Sequence, residues 1–182
     1  MTSPTEMLEE EHRFIAKVVG ITPVLADKVE AGEAVSVDLL RDIVEFMRAF
    51  ADKWHHGKEE ALLFPALIEK GVPVHGCPIG ALTAEHVKGR ELVGGLAEAT
   101  NAFEKGAASA REAMIENLRG IAELYPNHIW KEDYLLFPMT HKVLGPEELQ
   151  ALYQEFEKVE ERIGDDIRHR FTKFAERVDQ RV

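Results

Sequence analysis

Apolar residues recur at every third or fourth position along most of the chain, and no run alternates in the manner of a strand. This spacing predicts helices over residues 5–31, 37–71, 79–105, 110–143 and 147–181. Gly32, Gly106 and Gly145-Pro146 supply stop signals, and Pro126 predicts a kink in the fourth helix. The links after the first and third helices are short. The pattern therefore predicts an all-α fold, an up-down-up-down four-helix bundle formed by residues 5–143.

The last predicted helix, residues 147–181, is amphipathic, because its apolar residues are three and four positions apart. Such a helix could lie on the bundle or on a partner subunit, so a homo-oligomer formed through it is one expectation. The 182 residues are long enough to bury a core and fit a single domain over 1–182.

Two segments of the second and fourth predicted helices are nearly the same. They read HHGKEEALLFP from His55 and HIWKEDYLLFP from His128, which lie 73 residues apart. A shorter echo upstream pairs Glu11-His12 with Glu85-His86. The chain therefore looks like two copies of one helical hairpin. Each copy carries a histidine on its first helix and His-x-x-x-Glu on its second.

The spacing of the repeated motif places its His and Glu on one face of each helix. That face is otherwise apolar in both helices, so the two side chains are predicted to point into the core. With a rise of roughly 1.5 Å per residue, the upstream histidines reach a similar height along the bundle. Six side chains are then expected in one layer of the core: His12, His55, Glu59, His86, His128 and Glu132.

A carboxylate buried in an apolar layer is costly unless it is paired or binds a metal ion. Two carboxylates share this layer with four imidazoles, and no Lys or Arg is predicted at that level. Bound cations are therefore expected, and mixed imidazole and carboxylate ligands suit iron, manganese or zinc. Glu59 and Glu132 could bridge two metal ions that each hold two terminal histidines.

Other charged residues near the motifs are expected outside this layer. Glu9 to Glu11 are predicted to form a solvated face, and Lys58 and Lys131 to be solvated or paired with nearby acids.

The overall charge and the cysteine content restrict the partners and the compartment. The formal net charge is −11, which disfavours nucleic acid and anionic membrane surfaces. No apolar run approaches the roughly 18 residues of a membrane span, and the acidic N-terminus lacks the pattern of a signal peptide. The single Cys77 cannot form an internal disulfide. A cytoplasmic location is therefore expected.

In these motifs the chain resembles the hemerythrin-like (HHE cation-binding) family. The resemblance covers about residues 5–140 and rests on two His-x-x-x-Glu motifs and two single histidines in the family's order. It implies a di-iron centre with carboxylate bridges, an oxo or hydroxo bridge, and a small ligand such as dioxygen, nitric oxide or peroxide. The metal ligands that it carries over are His12, His55, Glu59, His86, His128 and Glu132.

The third helix departs from the oxygen-carrying members of that family. They have His-x-x-x-His there, whereas this chain has Arg90 four residues after His86. His56, Glu91 or Glu85 could supply the missing ligand. His56 has no histidine counterpart in the second half of the repeat.

The fourth helix offers two candidate bridging acids. Asp133, five residues after His128, competes with Glu132 for that role. The internal repeat favours Glu132, because its counterpart in the first half is Glu59.

The resemblance leaves three kinds of function open. The leading interpretation is a di-iron binding protein that takes up dioxygen or a related small ligand. The alternatives are a di-iron oxidase, peroxidase or catalase-like enzyme, and an iron or oxygen sensor that acts through a protein partner.

Overall fold

The computed structural model describes residues 3–107 and 109–182, and all regular structure in these residues is helical. The first rod of the bundle comprises α1 (Pro4–Gly20) and α2 (Thr22–Ala31). The single helix predicted over residues 5–31 is wrong at Ile21, where the chain turns. Pro23 has no N–H to donate to the carbonyl of Val19, and the hydroxyl of Thr22 donates to that carbonyl instead, at 2.8 Å.

The second rod begins with α3 (Val37–Phe46), whose N-terminus is capped by the side chain of Ser36. It continues through two π-helical segments, Met47–His56 and Glu59–Leu63, into α4 (Phe64–Glu69). The third rod is the unbroken α5 (Ile79–Glu104).

The fourth rod comprises α6 (Ala110–Lys131), a π-helical segment (Glu132–Leu136) and α7 (Phe137–Val143). Pro126 lies inside α6 without ending it. The regular α-helix instead gives way just before Pro138, where the π-helical segment precedes the start of α7.

Two apolar clusters fill the bundle and establish its topology. A small cluster contains Leu8, Leu63, Leu82 and Leu136. A large cluster contains Ile15, Ala51, Leu92 and Tyr125. The first and third rods run from the small cluster to the large one, and the second and fourth rods return. The predicted all-α, up-down-up-down bundle is thus confirmed.

The C-terminal segment lies along the bundle. It forms α8 (Pro146–Ile163), α9 (Asp165–Arg177) and a 3-10 turn (Val178–Arg181). The single helix predicted over 147–181 is interrupted at Gly164, whose φ of 87° is in the left-handed region that favours glycine. Phe156 of α8 joins the small cluster, and Phe171 of α9 joins the large one. Burying an aromatic or leucine side chain contributes about 1.5–3 kcal/mol, so these anchors hold the segment on the bundle.

Among the described helices, none is both long enough and apolar enough to cross a bilayer.

Candidate metal centre

Seven polar side chains from the four rods meet in one layer between the two apolar clusters. They are His12, His55, His56, Glu59, His86, His128 and Glu132, and all are buried. Their nitrogen and oxygen atoms form two groups, and within each group the atoms lie within 4.8 Å of one another. The first group is His56, His86 and His128. The second group is His12, His55, Glu59 and Glu132.

Both His-x-x-x-Glu motifs run into a widened helical turn at the same point of the repeat. These turns, Glu59–Leu63 and Glu132–Leu136, lead into Phe-Pro in each half. The proline ring would clash with the carbonyl four residues earlier, so the helix widens there. The amide of the phenylalanine then donates to the carbonyl of Glu59 or Glu132, five residues back. The shared proline therefore shapes the backbone that carries both glutamates.

Glu132 contacts histidines of both groups. Its Oε2 lies 3.1 Å from Nε2 of His12. Its Oε1 lies 3.2 Å from Nε2 of His128 and 3.7 Å from Nε2 of His86. The carboxylate thus extends from one group to the other, as a bridge between two cations requires.

Glu59 also reaches both groups. Its Oε2 lies 3.8 Å from Nε2 of His55 and 3.5 Å from Nε2 of His86. Within the described chain, none of the oxygen atoms of Glu59 and Glu132 has a hydrogen-bond partner. Buried carboxylate oxygens without partners are costly, so this layer suits a cation.

The outer nitrogen, Nδ1, of each histidine in the layer faces a carboxylate. The pairs are His12 with Asp133 at 2.6 Å, His55 with Glu11 at 2.9 Å, His56 with Asp52 at 3.4 Å, His86 with Glu60 at 2.7 Å and His128 with Glu85 at 3.0 Å. Because an ionised carboxylate can only accept, each Nδ1 carries the proton and donates it. In its neutral form, each ring then presents the lone pair of its Nε2 to the layer. Histidines that bind metal ions are oriented in this way.

The inner nitrogens have few partners of their own. Those of His56, His86 and His128 have no hydrogen-bond partner among the described residues. Those of His12 and His55 face each other at 3.0 Å. In the part of the chain that the structure describes, seven nitrogen and oxygen atoms of the layer are thus buried without a hydrogen bond, three from histidines and four from the two glutamates.

The protein environment shifts the pKa values of three groups in this layer. Burial lowers the pKa of His12, but Asp133 and Glu132 outweigh it and raise the pKa to about 9. Burial and the adjacent Glu132 raise the pKa of Glu59 well above its ordinary value. Burial lowers the pKa of His56 to about 3. A raised pKa favours the protonated form of His12 and of Glu59, so a metal ion in the layer would compete with protons there.

Arg90 supports the layer from outside. Its guanidinium donates to Asp52 at 2.8 Å and to Glu60 at 2.8 Å, and these are the acids that face His56 and His86. Arg90 therefore fixes the two acids that hydrogen-bond to His56 and His86 of the first group.

The structure places some of the predicted site residues in the polar layer and others outside it. The six residues predicted for the core layer meet there, and His56 joins them. The four histidines predicted as ligands fall two in each group, and His56 is a third histidine in the group of His86 and His128. Glu91 lies at the surface beside Lys88 and belongs to neither group.

Asp133 and Glu85 lie outside the ring of inner atoms, each on the Nδ1 of a histidine. A role in orienting that histidine fits this position better than a role as a ligand.

The sequence-based prediction did not anticipate the burial of two charged residues. Glu11 is buried, so the solvated face predicted for Glu9 to Glu11 is wrong at this residue. Lys58 is fully buried and donates to Glu11. The internal repeat carried a signal for this pair. Glu11 and Lys58 correspond in the repeat to Glu85 and Lys131, and Lys131 donates to Glu85.

The fold and the polar layer together define a helical bundle with a cation-binding site in its core. The chain belongs to the hemerythrin HHE cation binding domain family, whose model matches residues 3–140. It is also similar to uncharacterized proteins of Mycobacterium bovis and Mycobacterium tuberculosis, with 23% identity over 162 residues. The match covers 89% of this chain and only 62% of each relative, so the chain spans less than two thirds of their length. No solved structure matches the chain.

Proposed function

We propose that this chain holds two iron ions in its polar layer and binds a small ligand such as dioxygen, nitric oxide or peroxide there. The observation that carries the proposal is the set of seven buried nitrogen and oxygen atoms that have no hydrogen-bond partner among residues 3–107 and 109–182. One ion would be held by the three histidines of the first group and the other by His12 and His55. Glu59 and Glu132 would bridge the two ions.

The number and kind of donor atoms favour iron. Three imidazoles and two carboxylate oxygens around one ion make five protein ligands, whereas structural zinc sites almost always hold four. Manganese favours oxygen donors, and this layer is richer in imidazole nitrogen. The family's cation-binding character agrees with a metal in this place.

The unequal division of histidines favours one ion as the place for a small ligand. The ion of the His12 group would have one imidazole fewer than the other, and so one more open position. Iron at that position would supply reversible electron transfer to the small ligand.

Aromatic rings pack against two histidines of this layer. Phe137 stacks on His12 with ring centroids 5.6 Å apart, and Phe64 stacks on His86 at 5.9 Å. Burial of the layer's side chains strengthens the electrostatic contacts among them.

Anaerobic reconstitution with Fe(II) tests the proposal. The purified chain and a His75→Ala control, altered at an exposed loop residue, should bind two irons per chain. His86→Ala should lose at least one. Visible spectra after adding air, nitric oxide or peroxide would then distinguish a stable adduct from catalytic turnover. Failure of the wild-type chain to retain iron would overturn the proposal.

A further inference from the structure

A buried line of contacts connects the C-terminal helices to the polar layer. His55 donates from Nδ1 to Glu11 at 2.9 Å, and Lys58 donates to the other oxygen of Glu11. Lys58 also donates to Oε1 of Glu160 in α8, at 2.6 Å. The indole of Trp54 donates to the same oxygen at 2.7 Å. The carboxylate of Glu160 is therefore three contacts from the imidazole of His55.

The surroundings of Lys58 give this line a fixed geometry. Its side chain is 0% exposed, and those of Glu11 and Glu160 are 6% and 14% exposed. The ammonium group lies 5.5 Å from the ring centre of Phe156, one turn before Glu160 on α8, and 5.8 Å from that of Trp54. A buried ammonium needs charged partners, and Lys58 has one on each side.

In the second half of the repeat, the C-terminal helices do not cover the corresponding lysine. There Lys131 donates to Glu85, which faces Nδ1 of His128, so the first contacts are the same. The side chains of Lys131 and Glu85 are 29% and 20% exposed. Within the described chain, no carboxylate of α8 or α9 pairs with Lys131. The C-terminal helices therefore complete one half of a nearly symmetric site.

We propose that Glu160 is a positioning residue for the His12 and His55 half of the metal centre. It lies beyond residues 3–140, the part that the family model matches. By fixing Lys58, Glu160 holds Glu11 against His55 and keeps the lone pair of that imidazole directed at the metal position. This inference rests on the proposed iron site, and it makes that half of the centre depend on the C-terminal helices.

The full-length Glu160→Gln variant tests this role, with Glu161→Gln as the matched control at an exposed position of the same helix. Fe(II) titration should show one of the two irons bound about tenfold more weakly, at the lower end of the effect of removing an outer partner of a metal ligand. Mössbauer spectra of the ⁵⁷Fe-loaded variant should show one altered and one unaltered doublet. Glu161→Gln should match the wild type in both measurements.

The outcomes separate this role from a structural one. If Glu160→Gln only lowers the stability of the metal-free protein and binds both irons as the wild type does, the positioning role is overturned. If that variant does not fold, Trp54→Phe removes the second donor to Glu160 and keeps an aromatic ring. Trp54→Phe should weaken the binding of the same iron, and unchanged iron binding in this variant would overturn the inference. A wild-type chain without iron would instead refute the proposed function itself.

Discussion

The Nε2 atoms of His12 and His55 lie 3.0 Å apart, while each ring is held at its Nδ1 by a carboxylate. When both rings are neutral, two lone pairs face each other across this distance. A proton or a metal ion between the rings removes the repulsion. Protons and metal ions therefore compete for the same place in the polar layer.

This competition predicts how metal affinity depends on pH. The pKa of His12 is raised to about 9 and that of Glu59 is also raised, so both groups hold their protons more tightly in the metal-free protein. Metal binding must release them, and affinity should therefore increase as pH rises toward about 9. Calorimetric titrations with Fe(II) in buffers of different ionisation enthalpy would measure the released protons. An affinity independent of pH between about 6.5 and 8.5 would contradict this competition.

Removing the metal should destabilise the fold. A metal ion that binds only the folded state at about 1,000 times its dissociation constant adds about 4 kcal/mol of stability. For a chain of this size, that corresponds to roughly 8–16 °C in melting temperature. Thermal unfolding before and after anaerobic chelation would show the difference. A Glu132→Ala variant should show no such difference, because it lacks a bridging carboxylate.

His56 should act as the third imidazole of one ion. His56→Ala should weaken the binding of one iron by more than about tenfold. His169→Ala, at an exposed position of α9, should leave iron binding unchanged. His56 and Arg90 line the same small cavity. Adding Arg90→His to the His56→Ala variant should therefore restore part of the lost affinity. Normal iron content and an unchanged Mössbauer spectrum in His56→Ala would remove this residue from the ligand set.

Asp133 should orient His12 without binding metal itself. Asp133→Asn should then lower metal affinity by roughly 10–100-fold and leave the iron count at saturation unchanged. Glu91→Gln is the control, because Glu91 is exposed and outside both groups. If Asp133→Asn loses one iron even at saturation, Asp133 is a ligand, as the His-x-x-x-x-Asp alternative suggests.

The repeated motif made most of the candidate site predictable. Equal spacing in two hairpins placed His55 with Glu59 and His128 with Glu132 on inner faces, and the structure brings these four residues together. The same repeat argued against His56, since Ile129 is its counterpart. Consecutive residues of a regular α-helix point about 100° apart, so the pattern left the role of His56 open beside Glu91 and Glu85. Both His55 and His56 reach the layer from the π-helical segment Met47–His56.

The contacts made by the C-terminal helices could not be predicted from periodicity. An amphipathic pattern identifies an apolar face but not the surface on which it packs. The burial of Glu11 and Lys58 was therefore not predicted. Glu11 was expected on a solvated face and Lys58 to be solvated or paired with acids, whereas α8 covers both and Glu160 pairs with Lys58. The break at Gly164 was missed for a related reason. The apolar spacing continues across it, and only the backbone shows the change of direction.

The most direct test of the central claim is Mössbauer spectroscopy of the anaerobically ⁵⁷Fe-loaded chain, combined with an iron count. We expect two irons per chain in two distinct environments, because one ion would have three histidines and the other two. Two identical environments would contradict the three-and-two division. A chain that retains no iron would contradict the metal centre itself.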